Sequence, residues 1–427
     1  MFSQGGSPAG AICMRFVLLL TVVMVCLGPL ARAELGGHTL LPQTMALSPD
    51  SQAHPEQRLV AALDRLAAGQ TEIAMRELEL LVREQPNFRL AQLIYGDLLQ
   101  TYAGGVQGLK MNSNNRRLRS LIEEARLRWQ QRREAPPADA VPGNLLRMAP
   151  WEERVVLVDL KASRLYLLWS VGGRPRVLED HYIGIGQAGF GKRREGDRRT
   201  PVGVYRVTGY LNREALAEEY GEDAVLYGVG ALPVSYPNLH DRLLDRTGSG
   251  IWLHGVPDNT YVRPPRSSRG CVTMANDDFT RLLKDVVPGH SMVIFSDGVE
   301  WLSIEEARQR EQEAMAALTA WLEDAQAADS DAFISHYAED FRTRELDFTA
   351  FAQQQQRLRA GQGSARIEID DLSLMSYPGE ENTFLATFKQ ITIHPDGVRG
   401  HIRKQQYWRQ QADGRWQIIR EGLDSGT

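Results

Sequence analysis

Ser267-Ser268-Arg269-Gly270-Cys271-Val272-Thr273-Met274 holds one of the three cysteines in the chain. Two readings of Cys271 stand at the outset: a small buried hydrophobe, or a nucleophile held at a turn. A thiol reacts as its thiolate, and a free cysteine titrating near ~8.5 is mostly protonated at neutral pH, so the second reading needs a base or a cation nearby. The nearest upstream histidine is His254, at the end of the apolar run Ile251-Trp252-Leu253. Gly270 lets the chain turn sharply, so that consecutive N–H groups can face one oxygen, the donor arrangement that stabilises a tetrahedral oxyanion. The second ring nitrogen of His254 needs an orienting acceptor, the role an aspartate plays in other triads, and the carbonyl of Gly255 is the candidate.

The rest of the chain bears on that choice. A length of 427 residues gives room for two or three domains, and a net charge of -5 is far from the strongly basic footprint of a nucleic-acid binder. Met14-Arg15 is followed by an apolar run from Phe16 to Leu27, the helix-breaking Gly28-Pro29, and Ala31-Arg32-Ala33. This is the layout of a secretory signal over residues 1–33, with Met14 as its start and cleavage after Ala33. The run is shorter than the ~20 residues of a membrane span, and Val25 before Cys26 argues against a lipid anchor. The mature chain is thus expected in the periplasm, without a membrane span. Cys13 and Cys26 leave with the signal, and an unpaired thiol in an oxidising compartment is marked as a reactive candidate.

Residues 34–54 read as a flexible leader and 55–132 as a helical domain. Leu59, Leu63 and Leu66 share one face, Gly69 breaks the run, Ala74, Leu78 and Leu81 line a second helix, and Leu90, Leu93 and Leu98 a third. The spacing is that of a tetratricopeptide-like hairpin; one repeat cannot bury its own face, so packing on a neighbour or on a second copy is expected. Residues 133–149 read as a linker. The period then turns strand-like over 150–298, beginning with a hairpin of Val155–Leu160 and Arg164–Trp169. One helix opens at Asn276, with Asp277 or Asp278 as its cap, and stops at Pro288-Gly289. Residues 303–427 open with a charged helical run from 304 to 328 and a second amphipathic helix over 331–341. Four strands follow, with Asp413-Gly414 as a hairpin turn and Trp416 and Ile418 on the concave side. Helices followed by a curved antiparallel sheet make this an α+β domain.

The ordered stretches identify a resemblance. His254-Gly255, a loop, and Ser268-x-Gly270-Cys271-Val272 resemble the active-site signature of the L,D-transpeptidase (YkuD-type) domain. Lys192, Gly196, Asp197, Thr200, Pro201 and Gly203 match its upstream segment. The C-terminal pattern resembles the cone-shaped SnoaL-like, nuclear-transport-factor-like domains. The resemblance implies a multidomain protein: an α-helical N-terminal region, a mainly-β, β-sandwich-like catalytic domain, and an α+β cone. It implies peptidoglycan stem peptides as the partner and neither metal nor cofactor. Cys271 would attack the carbonyl of a diamino acid and expel the terminal D-alanine, with His254 as the base. Passing the acyl group to an amine is transpeptidation. Passing it to water is L,D-carboxypeptidase activity, and the three-domain layout resembles the carboxypeptidases of helical bacteria. Many members carry histidine before the Gly-Cys pair and arginine or asparagine two residues after the cysteine. Here Arg269 and Thr273 stand there, which leaves His254 the only imidazole of the motif and gives Arg269 the roles of lowering the thiol's pKa or holding a carboxylate.

Substrate-binding candidates are Ser268, Arg269, Arg266, Tyr236 and Lys192. Lys192–Arg199 is rich in cations and reads either as a solvated loop or as a holder of wall-peptide carboxylates. Cys271 with His240, His254 or His290 lacks metal-site spacing. A protein acceptor and self-association of the helical domain remain open as partners. The contrasting class is a non-catalytic wall-binding scaffold in which Cys271 is inert.

Overall fold

The computed structural model describes residues 53–102, 116–327, 329–361, 366–394 and 397–424. The expected signal, with Cys13 and Cys26, and nearly all of the leader lie outside these residues. No helix among them is long and apolar enough to cross a membrane. The chain divides into two compact units, residues 1–121 with 128–132, and residues 122–127 with 133–427.

In the first unit, helices Pro55–Ala67, Thr71–Glu84 and Arg89–Tyr102 follow one another. Leu59, Ala62, Ala74, Leu78, Leu81 and Leu90 are buried, the stripe that apolar residues three and four apart create. Buried Arg58 pairs with Glu84, and Arg128 pairs with Glu56 at 2.7 Å.

The second unit holds two large sheets and one two-stranded sheet. Its strands, in chain order, are β1 Val141–Pro142, β2 Arg154–Asp159, β3 Arg164–Val171, β4 Arg174–Gly186, β5 Gly203–Arg206, β6 Leu211–Asn212, β7 Gly230–Pro233, β8 Trp252–His254, β9 Arg266–Ser268, β10 Val272–Met274, β11 Met292–Ser296, β12 Trp301–Leu302, β13 Tyr337–Arg342, β14 Arg366–Ser376, β15 Thr383–Ile393, β16 Arg399–Gln410 and β17 Trp416–Leu423. The central sheet runs β5-β11-β2-β3-β4-β10-β8-β7-β6, with β9 beside β4. The C-terminal sheet runs β13-β17-β16-β15-β14. The expected linker is partly structured, since β1 pairs with β12.

Side-chain parity explains how the sheets are joined. Strand neighbours point to opposite faces. On β2, β3 and β11, Val156, Val158, Leu165, Leu167, Val293 and Phe295 enter one apolar cluster with Leu253, Val272 and Phe279. Val155, Leu157, Tyr166, Leu168, Met292 and Ile294 enter another, which also contains Met375, Leu385, Tyr407 and Ile419 of the C-terminal domain. The runs Val155–Val158 and Met292–Phe295 are apolar throughout because both faces are covered. Polar groups reinforce the seam. Arg206 pairs with Asp424 at 2.9 Å and buried Glu152 at 3.3 Å, and Ser373 donates to Glu152 at 2.7 Å. Within the C-terminal domain, Trp321, Phe341, Phe388, Trp408 and Ile418 fill the space between its sheet and helix Ile304–Gln326, whose N-terminus carries a Ser303/Glu306 capping box.

Two expected helices change. Residues 331–341 divide into a short helix, Ser330–Ile334, and strand β13, because pairing with β17 offers Tyr337, Ala338 and Phe341 a deeper burial than a surface helix would. The helix opening at Asn276 ends at Leu282 and has Ala275 at its cap, with no side-chain capping bond. Asp278 instead turns inward, where it meets His181 at 3.3 Å and Arg281 at 2.9 Å.

Candidate active site

Two parallel neighbours, β8 and β10, set the geometry. Leu253 pairs with Val272 and His254 with Thr273. Leu253 and Val272 enter the core, so His254 takes the opposite face, and alternation carries Cys271 to that same face. Tyr227 spans the two. Its ring meets His254 edge-on at 5.1 Å and Trp252 at 4.9 Å, and the Cys271 charge, after burial, raises the phenol's pKa.

The turn before Cys271 is built from Ser268 and Gly270. Ser268 Oγ donates to the Cys271 carbonyl at 2.6 Å and accepts the Gly270 N–H at 3.1 Å. Gly270 has φ +134°, and a Cβ there would lie 2.9 Å from the Arg199 carbonyl oxygen. Both the torsion and the contact demand glycine. The Gly270 amide is therefore already bonded to Ser268, which differs from the expected pair of free amides. Cys271 Sγ donates to the Gly250 carbonyl at 3.5 Å.

His254 is buried, and its Nδ1 lies 2.6 Å from the Gly255 carbonyl. A carbonyl only accepts, so Nδ1 carries the proton and Nε2 keeps a free lone pair. Asn276 fixes the backbone that follows: its Oδ1 accepts the Val256 N–H and its Nδ2 donates to the Val256 carbonyl, each at 2.9 Å. A Cβ on Gly255 would fall 2.3 Å from Asn276 Oδ1. That tightness makes Gly255 obligatory.

Burial, with help from the Arg263 charge, lowers the His254 pKa to about 3, against the pull of the Gly255 carbonyl. Burial pushes the Cys271 thiol up to about 11, opposed by the Trp252 amide, Arg263 and Lys192. Burial thus favours the neutral form of each group. The cations that favour the thiolate are Arg263 and Lys192.

The substrate-side candidates separate. Ser268 is consumed by the turn, and Tyr236 is buried, with its hydroxyl donated to the Thr247 carbonyl at 3.1 Å. Lys192 is buried and pairs with Asp197 at 3.0 Å. Arg266 is exposed and pairs with Glu123 at 3.4 Å. Arg269 is exposed and acts electrostatically on Tyr227. Arg263, half-buried with its guanidinium donated to the Leu226 carbonyl at 2.8 Å, is the cation felt by thiol, imidazole and phenol alike. Tyr227 and Asn276 had no motif to announce them. Arg263 stood beside Arg266 in a basic loop, where charge alone did not distinguish the two. Among the described residues no group of three side chains gathers in a way that would hold a metal ion.

A mainly-β domain with a Cys-His face, joined to a helix-and-sheet cone, defines a class. Residues 153–294 match the family model of the YkuD L,D-transpeptidase catalytic domain, and residues 313–422 match that of the Cds6 C-terminal NTF2-like domain. The chain thus carries a YkuD-type L,D-transpeptidase domain followed by an NTF2-like domain. Among solved structures, it is similar to Bd1075 of Bdellovibrio bacteriovorus, with 25% identity and a TM-score of 0.58, covering 67% of this chain and 98% of that one. It shares its fold with the helical cell shape determining protein Pgp2 of Campylobacter jejuni, with 23% identity and a TM-score of 0.54, covering 65% and 94%. A comparison with curated protein sequences returned no match.

Proposed function

We propose that this protein is a peptidoglycan L,D-transpeptidase working by cysteine acyl transfer. The observation that carries the reading is the bond from His254 Nδ1 to the Gly255 carbonyl, which leaves Nε2 as the acceptor on the face shared with Cys271. Cys271 attacks the diamino-acid carbonyl of a tetrapeptide stem as Nε2 takes the thiol proton. The tetrahedral oxyanion then collapses to a thioester, and His254 returns that proton to the departing D-alanine amine. An acceptor amine attacks the thioester, giving its proton to His254, and the thiol is regenerated.

Hydrolysis of the same thioester by water is the second reading. It draws support from the three-domain layout, which resembles that of the L,D-carboxypeptidases of helical bacteria. The signal-like N-terminus supports delivery to the periplasm, where the wall lies.

Incubation with purified tetrapeptide muropeptides tests the proposal. Crosslinked dimers support transpeptidation; tripeptide with free D-alanine supports carboxypeptidase action. Cys271→Ala is expected to abolish either product, and His254→Gln to slow the reaction by roughly 10²–10⁴-fold. Full turnover by Cys271→Ala would overturn both readings, and absence of either product from the unaltered chain would leave the scaffold class.

A further inference from the structure

A cleft of about 670 Å³ opens where the Lys192–Arg199 loop of the YkuD-type domain meets the Pro378–Glu380 turn of the NTF2-like domain. Its size is that of a small-molecule site, and Cys271 is not among its walls. Lys192, Arg193, Arg194, Arg199 and Arg246 line it, against the carboxylates of Asp197, Asp297 and Glu380.

The charges are not mutually cancelled. Glu380 is engaged with His240 Nε2 at 2.6 Å, and Arg246 with Asp241 at 2.9 Å. Arg199 gives one N–H to the Phe190 carbonyl. The guanidinium groups of Arg193 and Arg194 have no hydrogen-bond or ion-pair partner among the described residues. Asp297 is exposed and is the carboxylate in the cleft left to oppose them.

The loop that bears these arginines is held in shape. Asp197 accepts the N–H groups of Arg193 and Arg194 on one oxygen and that of Arg199 on the other, together with Lys192 Nζ. On the far wall, Gly379 sits at φ +77°, and a Cβ there would come 2.9 Å from Val202 Cγ1. Two domains thus fix a concave surface that presents unpaired guanidinium donors, the groups best suited to carboxylate and phosphate oxygens.

We propose that this cleft binds a small molecule or peptide segment through an oxyanion, either a carboxylate or a phosphate, at Arg193 and Arg194. The proposal rests on the cleft's shape and charge, and it stands or falls apart from the thiol chemistry.

The test is calorimetric titration of the full chain carrying Cys271→Ala, at low salt. The probes are γ-glutamyl-glutamate, its fully amidated counterpart, and inorganic phosphate. Saturable binding of one equivalent is expected for at least one of the two anions, and none for the amide. Preference for the peptide identifies a carboxylate source, and preference for phosphate the other. The double variant R193A/R194A should bind at least fivefold more weakly, while Lys284→Ala, at an exposed lysine outside the cleft, should bind as before. Asp297→Asn should bind the anion at least twofold more tightly, a gain that a misfolded chain would not show. Absence of saturable binding by either anion, equal weakening in Lys284→Ala, or unchanged affinity in R193A/R194A would each overturn the proposal.

Discussion

Burial favours the neutral forms of Cys271 and His254, and this has a measurable pH signature. A thiol raised to about 11 is protonated at neutral pH, and an imidazole lowered to about 3 is unprotonated there. Alkylation of the free protein by iodoacetamide is therefore expected to be slow at pH 7 and to rise about tenfold per pH unit from pH 8 to 10, following the thiolate fraction. A plateau already reached near pH 7 would mean a preformed thiolate–imidazolium pair and would contradict this account. The result also revises what the motif implied. Lone Cys271, upstream His254 and the intervening loop were legible because each is a distinctive residue type at a distinctive place. The electrostatics were not, because Arg263, Arg266 and Arg269 are alike in sequence. Only the fold shows Arg263 half-buried and coupled to the thiol while the other two face solvent.

At the scale of elements, the imidazole is aimed by a helix start. Asn276, the first residue of helix Asn276–Leu282, holds both polar groups of Val256, and so fixes the strand end from which Gly255 offers its carbonyl. Asn276→Ala leaves that N–H and carbonyl unpaired in a region where Val256 is buried. A loss of about 1–3 kcal/mol in unfolding free energy is expected, measured by urea titration. Under the proposed mechanism kcat should fall more than KM rises, since the base loses its aim while the substrate walls remain. A variant that lost stability yet kept its kcat would show that Asn276 supports the fold alone. The sequence suggested a helix here but assigned its cap to Asp277 or Asp278. Local propensity favours that choice; burial against His181 and Arg281 claimed Asp278 instead. The same competition turned residues 337–341 from helix to strand, since an amphipathic pattern cannot show in advance that β17 stands ready to pair.

For the molecule as a whole, the question is whether the two matched domains behave as one. Arg206 lies where Glu152, Asp424 and the His290 carbonyl converge. Arg206→Ala strands Glu152, whose pKa burial already raises against the opposing pull of Arg206 and Ser373. Breaking such a buried pair costs about 3–5 kcal/mol. Calorimetry is expected to show one transition for residues 133–427 that shifts down as a unit. A split into two transitions, with only the YkuD-type part moved, would show the domains to be independent. The sequence carried a trace of this union in the unbroken apolar runs of β2 and β11. Read one strand at a time, those runs give only strands, because nothing in them names the Met375, Leu385 and Tyr407 that cover the second face.

That shared apolar layer has a mechanical consequence. The NTF2-like portion is no tethered arm; it shares one apolar layer with the domain that carries the thiol. Whatever is held by one part therefore meets the other at a set bearing. Under the proposed function, the orientation of a stem as well as its chemistry would then decide whether it reaches the thiol.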